Sequence, residues 1–543
     1  MTMNIDRRQL MALGTFGLGA LSMPASAAMI GGKGFTHGVA SGEPSQGSVL
    51  LWTRYVGSAD SKLAAEISAS SDFSNAKMVG EVKALADRDH IAKITVQGLD
   101  PDSWYFYRFI GPDGSKSVTG RTRTLPEGPT RKFTIGVVGC SNLPFGYFNA
   151  YAHAAQNSEL DLIVHTGDYL YEYPVGTYPS EKEAVAGRQH DPLTEMVHLA
   201  DYRLRYAAYR KDPDLQRIHQ VLPMIAMWDD HEFTNDTYKD GAQNHDASEG
   251  DWETRKRIAE QVYREWMPVS DKEYGSPRWS DYQIGDLATL FVTESRITAR
   301  SEQLDLGAAL KGQQDIQKAL ETFRDDAWQD PAREMIGKEQ AAWLNAAMRK
   351  SKASGTKWQV WSQQCVMGEV KLPQEATNWV SDDAPDFAKQ RLAVGTMAAK
   401  LGLPINFDSW DGYPKARERS LSMAQQADAD LIVLSGDSHN AWAFDLETKD
   451  GVAGVEFAGH SVSSPGFEAY TKGVNPAVVA TEVIKANHQL KWTDTAHRGY
   501  MTVTLTPEKA MSTWQFLDTI RTKSIALAGS QTQTVLRGTN RLV

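Results

Sequence analysis

Cysteine is nearly absent: Cys140 and Cys365 are the only two in 543 residues. A disulfide framework is therefore excluded, and a single Cys140–Cys365 bridge is the most the chain can form. After the N-terminal segment no run of eighteen uninterrupted apolar residues occurs, so no stable membrane span is expected. A basic block is also missing. With a net charge of −11 and Lys and Arg dispersed, duplex nucleic acid is excluded as a natural partner, because neutralising phosphates needs clustered cations. There is no internal repeat and no low-complexity tract. The remaining composition, 41% hydrophobic and 23% charged, is that of a soluble globular protein. The length exceeds one ordinary core and implies two domains, or one large domain with insertions.

Residues 1–27 read as an export signal rather than as part of the fold. Arg7-Arg8 precede a short apolar stretch, residues 10–23, that ends in Pro24-Ala25-Ser26-Ala27-Ala28. This is a charged n-region, an h-region too short to span a bilayer, and a small-x-small cleavage site. A buried N-terminal helix is the competing reading. The paired arginines resemble a twin-arginine signal, with Asp6 and Leu10 departing from its usual residues, and Sec export remains open. Either route makes the export machinery a partner and places the mature protein in the periplasm or outside the cell. Twin-arginine export carries folded proteins and so permits metal loading in the cytoplasm.

Residues 35–126 differ in texture from the rest. Short β-prone runs such as Val49-Leu50-Leu51-Trp52-Thr53, Ala92-Lys93-Ile94-Thr95-Val96 and Trp104-Tyr105-Phe106-Tyr107-Arg108-Phe109 are separated by turn residues. They predict an all-β sandwich domain. Leu99-Asp100-Pro101-Asp102 before an alternating aromatic strand resembles the E–F corner of fibronectin type III domains. Residues 122–131 read as a linker. From residue 132 strands alternate with helical stretches, the pattern of an α/β domain over residues 132–525, and residues 526–543 are expected to be a C-terminal tail, either an extended cover or loose.

Four segments carry the chemistry: Cys140-Ser141-Asn142, Gly167-Asp168-Tyr169-Leu170-Tyr171, Trp228-Asp229-Asp230-His231-Glu232 and Gly436-Asp437-Ser438-His439. Each follows an apolar run. Groups delivered by several strand ends to one sheet edge are how an α/β protein builds a metal site, so the chain reads as a metal-dependent hydrolase. Asp168 offers two oxygens to bridge a pair of cations, while Tyr171 either ligates a hard ion or only packs. The residue 229–232 cluster repels itself unless cations neutralise it, although a capped helix N-terminus explains one or two of its acids. Asp230 is the preferred ligand there, which leaves His231 to polarise a phosphoryl oxygen or protonate a leaving alkoxide. Alternation puts Asp437 and His439 on one side of an extended segment as a ligand pair. Cys140 reads as a metal thiolate in preference to half of a disulfide. His460 reads as a structural histidine in preference to a ligand.

These segments, together with Asn406-Phe407-Asp408-Ser409-Trp410-Asp411-Gly412-Tyr413 and Phe35-Thr36-His37-Gly38-Val39-Ala40-Ser41-Gly42-Glu43-Pro44, resemble the PhoD-type alkaline phosphatases. That family belongs to the calcineurin-like metallophosphoesterases. The resemblance implies an α/β (α+β) catalytic domain with a β-sandwich core and flanking helices, after an N-terminal fibronectin III-like sandwich. It implies Fe³⁺ with one or two Ca²⁺, Zn²⁺, Mn²⁺ or Mg²⁺ remaining open instead. Cys140, Asp168, Tyr171, Asp230, Asp437 and His439 are the implied metal ligands, and His231 falls at the position of a transition-state histidine. Gly139 and His460 depart from the residues usual in the family. The implied reaction is attack of a metal-held hydroxide on phosphate mono- and diesters, small-molecule esters being the substrates and phospholipids or teichoic-acid-like polymers further candidates. A phospholipase D-like diesterase on the same scaffold and a non-catalytic surface-binding protein are the alternative functions.

Overall fold

The computed structural model describes residues 32–379 and 386–543. The expected export signal lies outside them. Among the described residues no helix is long and apolar enough to cross a membrane.

The strand Phe133–Val138 is buried at all six positions. Such a strand is stable only with both faces covered, as in a parallel sheet flanked on each side. It runs parallel to Leu162–His165, with Ile135 opposite Leu162 and Val138 opposite His165, and Leu162–His165 runs parallel to Met224–Ala226. On the other side the antiparallel strands Gly499–Leu505, Lys509–Leu517 and Leu527–Leu536 complete this part of the sheet. A second, seven-stranded sheet has at its centre the parallel strands Ala288–Val292, Trp358–Ser362, Leu431–Ser435 and Gly451–Ala458.

The two mixed sheets face each other across a core that includes Ile135, Val137, Leu162, Val164, Val360, Leu434, Phe457 and Trp514. Alternation along a strand divides its side chains between two layers. Leu162 and Val164 point to the opposing sheet, while Ile163 points outward to a core shared with Tyr206, Ile218, Val262 and Trp266. Those last residues belong to the helices Leu199–Tyr209, Pro213–Val221 and Trp252–Trp266. Asp212 and Asp251 cap the latter two by accepting backbone N–H groups. Helices Gly337–Ala353, Pro414–Gln426 and Pro476–Ala486 cover the outer face of the second sheet.

The N-terminal strands Gly34–Gly42, Ser48–Val56 and Ile91–Gln97 continue the first sheet, which thereby reaches nine strands. The junction is a parallel pairing of Gly42 with Met224. A Cβ at Gly42 would lie 2.0 Å from the Pro268 carbonyl, so only glycine allows this approach. A separate four-stranded sheet packs against these strands around Val39, Leu51, Leu63, Ile67, Tyr107 and Phe109. Within it the Tyr105 hydroxyl accepts the Asp100 N–H at 2.9 Å.

Residues 526–543, read as a tail that is either an extended cover or loose, contain the edge strand Leu527–Leu536. Its polar, largely exposed side chains hide the strand signal, and Val535 is its one buried residue.

Candidate metal centre and active site

The C-terminal ends of the parallel strands in both sheets converge. Cys140 follows Phe133–Val138, Asp168 follows Leu162–His165, Asp229 follows Met224–Ala226, and Asp437 follows Leu431–Ser435. Cys140, Asp168, Asp437 and His439 have φ of 56°, 52°, 62° and 62°. Four non-glycine residues in the left-handed region mark a site whose surroundings enforce local strain. Gly167, at φ 109°, serves the packing of the site: a Cβ there would sit 2.4 Å from that of Asp229. Its missing side chain lets two strand ends meet.

Three groups of donors result. Cys140, Asp168 and His439 form the first, Asp168, Asp230 and His231 the second, and Asp229, Cys365 and Asp437 the third; within each group the donor atoms lie within 4.8 Å of one another. Asp168 belongs to two groups. The Tyr171 hydroxyl completes the first, 3.1 Å from Asp168 Oδ2 and 3.1 Å from His439 Nε2. Its other partner is the Ser464 hydroxyl, 2.7 Å away.

Burial, reinforced by Asp230, Asp229 and Glu232 against His231, pushes the Asp168 carboxyl well above the usual carboxylate range. Burial, with Asp168 and Asp437, likewise raises the Cys140 thiol. Burial holds the His439 imidazole neutral, near 3. Asp168 Oδ1 and Asp229 Oδ2 are buried with no hydrogen-bond partner among the described residues. A thiol, a phenol, an imidazole and carboxylates with orphaned oxygens, gathered in a low dielectric, are a donor set suited to cations.

Glu232 is not among these donors. Its carboxylate accepts the N–H groups of Asp168, Tyr169 and Asp229 at 3.1, 2.7 and 2.8 Å, and so clamps two strand ends together. Glu172 has a comparable task. Fully buried, it accepts from Thr234 Oγ1, Asn235 N and Asn244 Nδ2 on Oε1, and its Oε2 lies 2.6 Å from His231 Nδ1. Burial opposes the charge on His231, but Asp230, Glu172 and Asp168 together raise its pKa well above the ordinary imidazole value. Because Nδ1 is engaged by Glu172, Nε2 is the ring nitrogen left for chemistry. Tyr171 and Tyr173 flank this ring at 4.1 and 5.5 Å between centroids.

Of the residues proposed from sequence, Cys140, Asp168, Tyr171, Asp230, His231 and His439 meet as one cluster. Asp437 joins the third group instead. Residues 437 and 439 both turn left-handed, so the extended geometry that would align their side chains is absent. Asp437 Oδ1 accepts from Arg296 Nη2 at 2.9 Å. Both cysteines are free and buried, so the disulfide alternative is not formed. His460 is buried, bonds the Gln515 carbonyl at 3.2 Å and packs on Phe516, outside the cluster. Sequence reasoning missed Glu172, Arg296, Asp408 and Cys365 as members of the site. A charged residue just past a buried strand was the available signal for Arg296, which follows Ala288–Val292.

Two facing mixed sheets with helices outside them, and candidate metal ligands at their strand ends, have the layout of a metal-dependent hydrolase. The sequence profile of the PhoD-like phosphatases matches residues 135–514, and that of the PhoD-like phosphatase N-terminal domain matches residues 22–126. Alkaline phosphatase D of Bacillus subtilis (strain 168) is 31% identical over 498 residues, which cover 88% of this chain and 76% of that protein. A solved structure of PhoD superposes with a TM-score of 0.75 at 26% identity, over 94% of this chain and 92% of the other. Purple acid phosphatase from yellow lupin shares the fold at a TM-score of 0.53 and 11% identity, over 92% and 74% of the two chains. The chain belongs to the PhoD-like phosphatase family.

Proposed function

We propose that the protein is an exported alkaline phosphatase that hydrolyses phosphate mono- and diesters in the periplasm or outside the cell. Fe³⁺ is assigned to Cys140, Asp168, Tyr171 and His439, and Ca²⁺ to the side of Asp168 that faces Asp230. The observation that carries this reading is Asp168 itself. It stands in two donor groups and keeps one buried oxygen without a partner among the described residues. A thiol and a phenol favour a trivalent or soft ion on one side, and carboxylate oxygens favour a hard divalent ion on the other.

When bound, the cations supply positive charge that acidifies water and neutralises the phosphoryl oxygens. The protein supplies orientation and a proton. Glu172 fixes the ring of His231, and Nε2 donates to the departing ester oxygen, so a poor alkoxide leaves as an alcohol. Glu232 and the strained backbone at residues 140, 168 and 437 hold the donors in place before substrate arrives.

The N-terminal segment, residues 35–126, acts as a fibronectin III-like cap on the catalytic domain; the Tyr105–Asp100 hydrogen bond is the kind found at the tyrosine corner of such sandwiches. Tyr173, beside His231, and Tyr178, 5.6 Å from Tyr173, offer an aromatic wall to the leaving group, which also favours diesters with a quaternary ammonium head. Turnover of p-nitrophenyl phosphate and phosphatidylcholine by wild type and Asp168→Asn tests the assignment. Loss of both activities in the variant is expected, and unchanged turnover would sink the metal-centred reading. A strong preference for phosphatidylcholine would replace the phosphatase reading by the lipid diesterase.

A further inference from the structure

The third donor group, Asp229–Cys365–Asp437, has the dimensions of a metal coordination shell, with donor atoms within 4.8 Å of one another. Asp229 Oδ2 is buried and unpartnered among the described residues, and Cys365 is a free, fully buried thiol. One sulfur and two carboxylates suit a borderline divalent ion such as Zn²⁺ or Co²⁺. The group nevertheless already has a cation beside it. Arg296, completely buried, donates from Nε to Asp229 and from Nη2 to Asp437 Oδ1 at 2.9 Å. Its Nη1 donates to both oxygens of Asp408 at 2.9 and 2.8 Å, and Nη2 lies 3.5 Å from Asp230 Oδ1. One guanidinium thus spans four carboxylates. A second guanidinium, that of Arg300, backs Asp408 and lies 3.6 Å from Cys365 Sγ.

The placement of Arg296 is enforced. Glu294 accepts the N–H groups of Arg296, Ile297 and Thr298 at 2.6, 2.8 and 2.9 Å, so the loop after Ala288–Val292 cannot turn the side chain away. Guanidinium is permanently charged, and its planar fork matches several carboxylates at once. A divalent ion placed among the same donors would meet that charge at a few ångströms in a low dielectric, which is strongly unfavourable.

We propose that Arg296 is a built-in cation that occupies the Asp229–Cys365–Asp437 group and bars a metal ion from it, and that this group is a latent soft-metal site. In consequence Asp229, Asp408 and Asp437 are positioned, and part of their negative charge is offset, before any metal is loaded. The metal content of the enzyme is then confined to the two groups that share Asp168. The inference rests on the reading that those two groups hold metal.

The test counts Co²⁺ per chain by elemental analysis in protein stripped with a chelator and reloaded with Co²⁺, and records thiolate-to-Co²⁺ absorption. Relative to wild type, Arg296→Met is expected to gain one Co²⁺ and additional thiolate absorption. The double variant Arg296→Met/Cys365→Ala should lose that absorption, and Arg296→Lys should keep the wild-type count. A folded Arg296→Met with no extra Co²⁺ overturns the proposal. Cys365→Ala in the wild-type background decides the matter independently if Arg296→Met does not fold: an unchanged count supports the built-in cation, and loss of one ion overturns it. Wild type that retains no Co²⁺ at all overturns the metal-centred function itself, a result distinct from either.

Discussion

Glu172→Gln isolates the part of the site that belongs to the protein alone. Three donors, Thr234 Oγ1, Asn235 N and Asn244 Nδ2, converge on Glu172 Oε1 at 3.2, 2.8 and 2.9 Å. A glutamine must therefore put its carbonyl oxygen there and turn its NH₂ toward His231 Nδ1. That ring nitrogen, now 2.6 Å from a carboxylate, would have to accept instead of donate. The substitution leaves the packing volume nearly unchanged but reverses the tautomer preference and removes the negative charge that favours the imidazolium. A hydrogen bond to a charged group contributes about 1.5–3 kcal/mol, which corresponds to roughly 10- to 150-fold in rate if it is expressed in the transition state. The loss should depend on the leaving group. For an alkyl phosphate, whose alkoxide needs the proton, kcat/KM is expected to fall by about 100-fold, within the range typical of general-acid catalysis. For p-nitrophenyl phosphate, whose phenolate leaves unaided, a fall of only a few-fold is expected. Steady-state kinetics on both esters, with circular dichroism to confirm folding, measures this. Equal losses on the two substrates, or none on either, would refute His231 as the proton donor held by Glu172.

Two further predictions concern stability. Arg203 donates from Nε and Nη2 to Glu265 at 2.8 and 2.7 Å with both side chains fully buried, and it ties the helix Leu199–Tyr209 to Trp252–Trp266 and to the Asp87 carbonyl. Arg203→Met strands the Glu265 carboxylate and should cost about 3–5 kcal/mol in urea denaturation, while Arg203→Met/Glu265→Met should recover most of it; a single variant within about 1 kcal/mol of wild type would contradict this. His37 is buried against Trp266, and burial, with Arg54, Arg210 and Lys211, holds its pKa near 2 against an ordinary 6.5. The folded chain leaves this ring neutral while the unfolded chain protonates it, so its contribution is complete above pH 6.5 and declines toward pH 2. The expected slope is about 1.4 kcal/mol per pH unit, and His37→Phe should flatten the acid side of the stability profile by that amount. An unchanged slope in a folded variant would show that His37 does not titrate on unfolding.

Much of the centre was legible because strand ends announce themselves. The run at residues 133–138 is apolar at nearly every position, and the first polar side chain beyond it, Cys140, lands in the cluster. Asp168, Asp230 and His439 were legible for the same reason. Tyr171 was legible as part of the Gly-Asp-x-x-Tyr spacing. What escaped depended on contacts between segments far apart in the chain. Arg296 meets Asp408 across 112 positions and Asp437 across 141. Glu172 was overlooked because nothing local separates a carboxylate that orients a histidine from one that packs beside a tyrosine. The alternation that was to align Asp437 with His439 failed because both residues leave the strand through left-handed backbone. The N-terminal runs at residues 49–53, 92–96 and 104–109 were recognised as strands, but Gly34–Gly42, through which this segment joins the catalytic sheet, was not; that union rests on the close approach at Gly42, which no periodicity records.

The most direct test of a metal-centred phosphatase is elemental analysis combined with visible absorption of the purified enzyme before and after chelation. Iron bound through Tyr171, with a visible band lost in Tyr171→Phe and colour lost in parallel with turnover on chelation, is the predicted result. A colourless, iron-free enzyme with full phosphoesterase activity would contradict the assignment of Fe³⁺ to Cys140, Asp168, Tyr171 and His439.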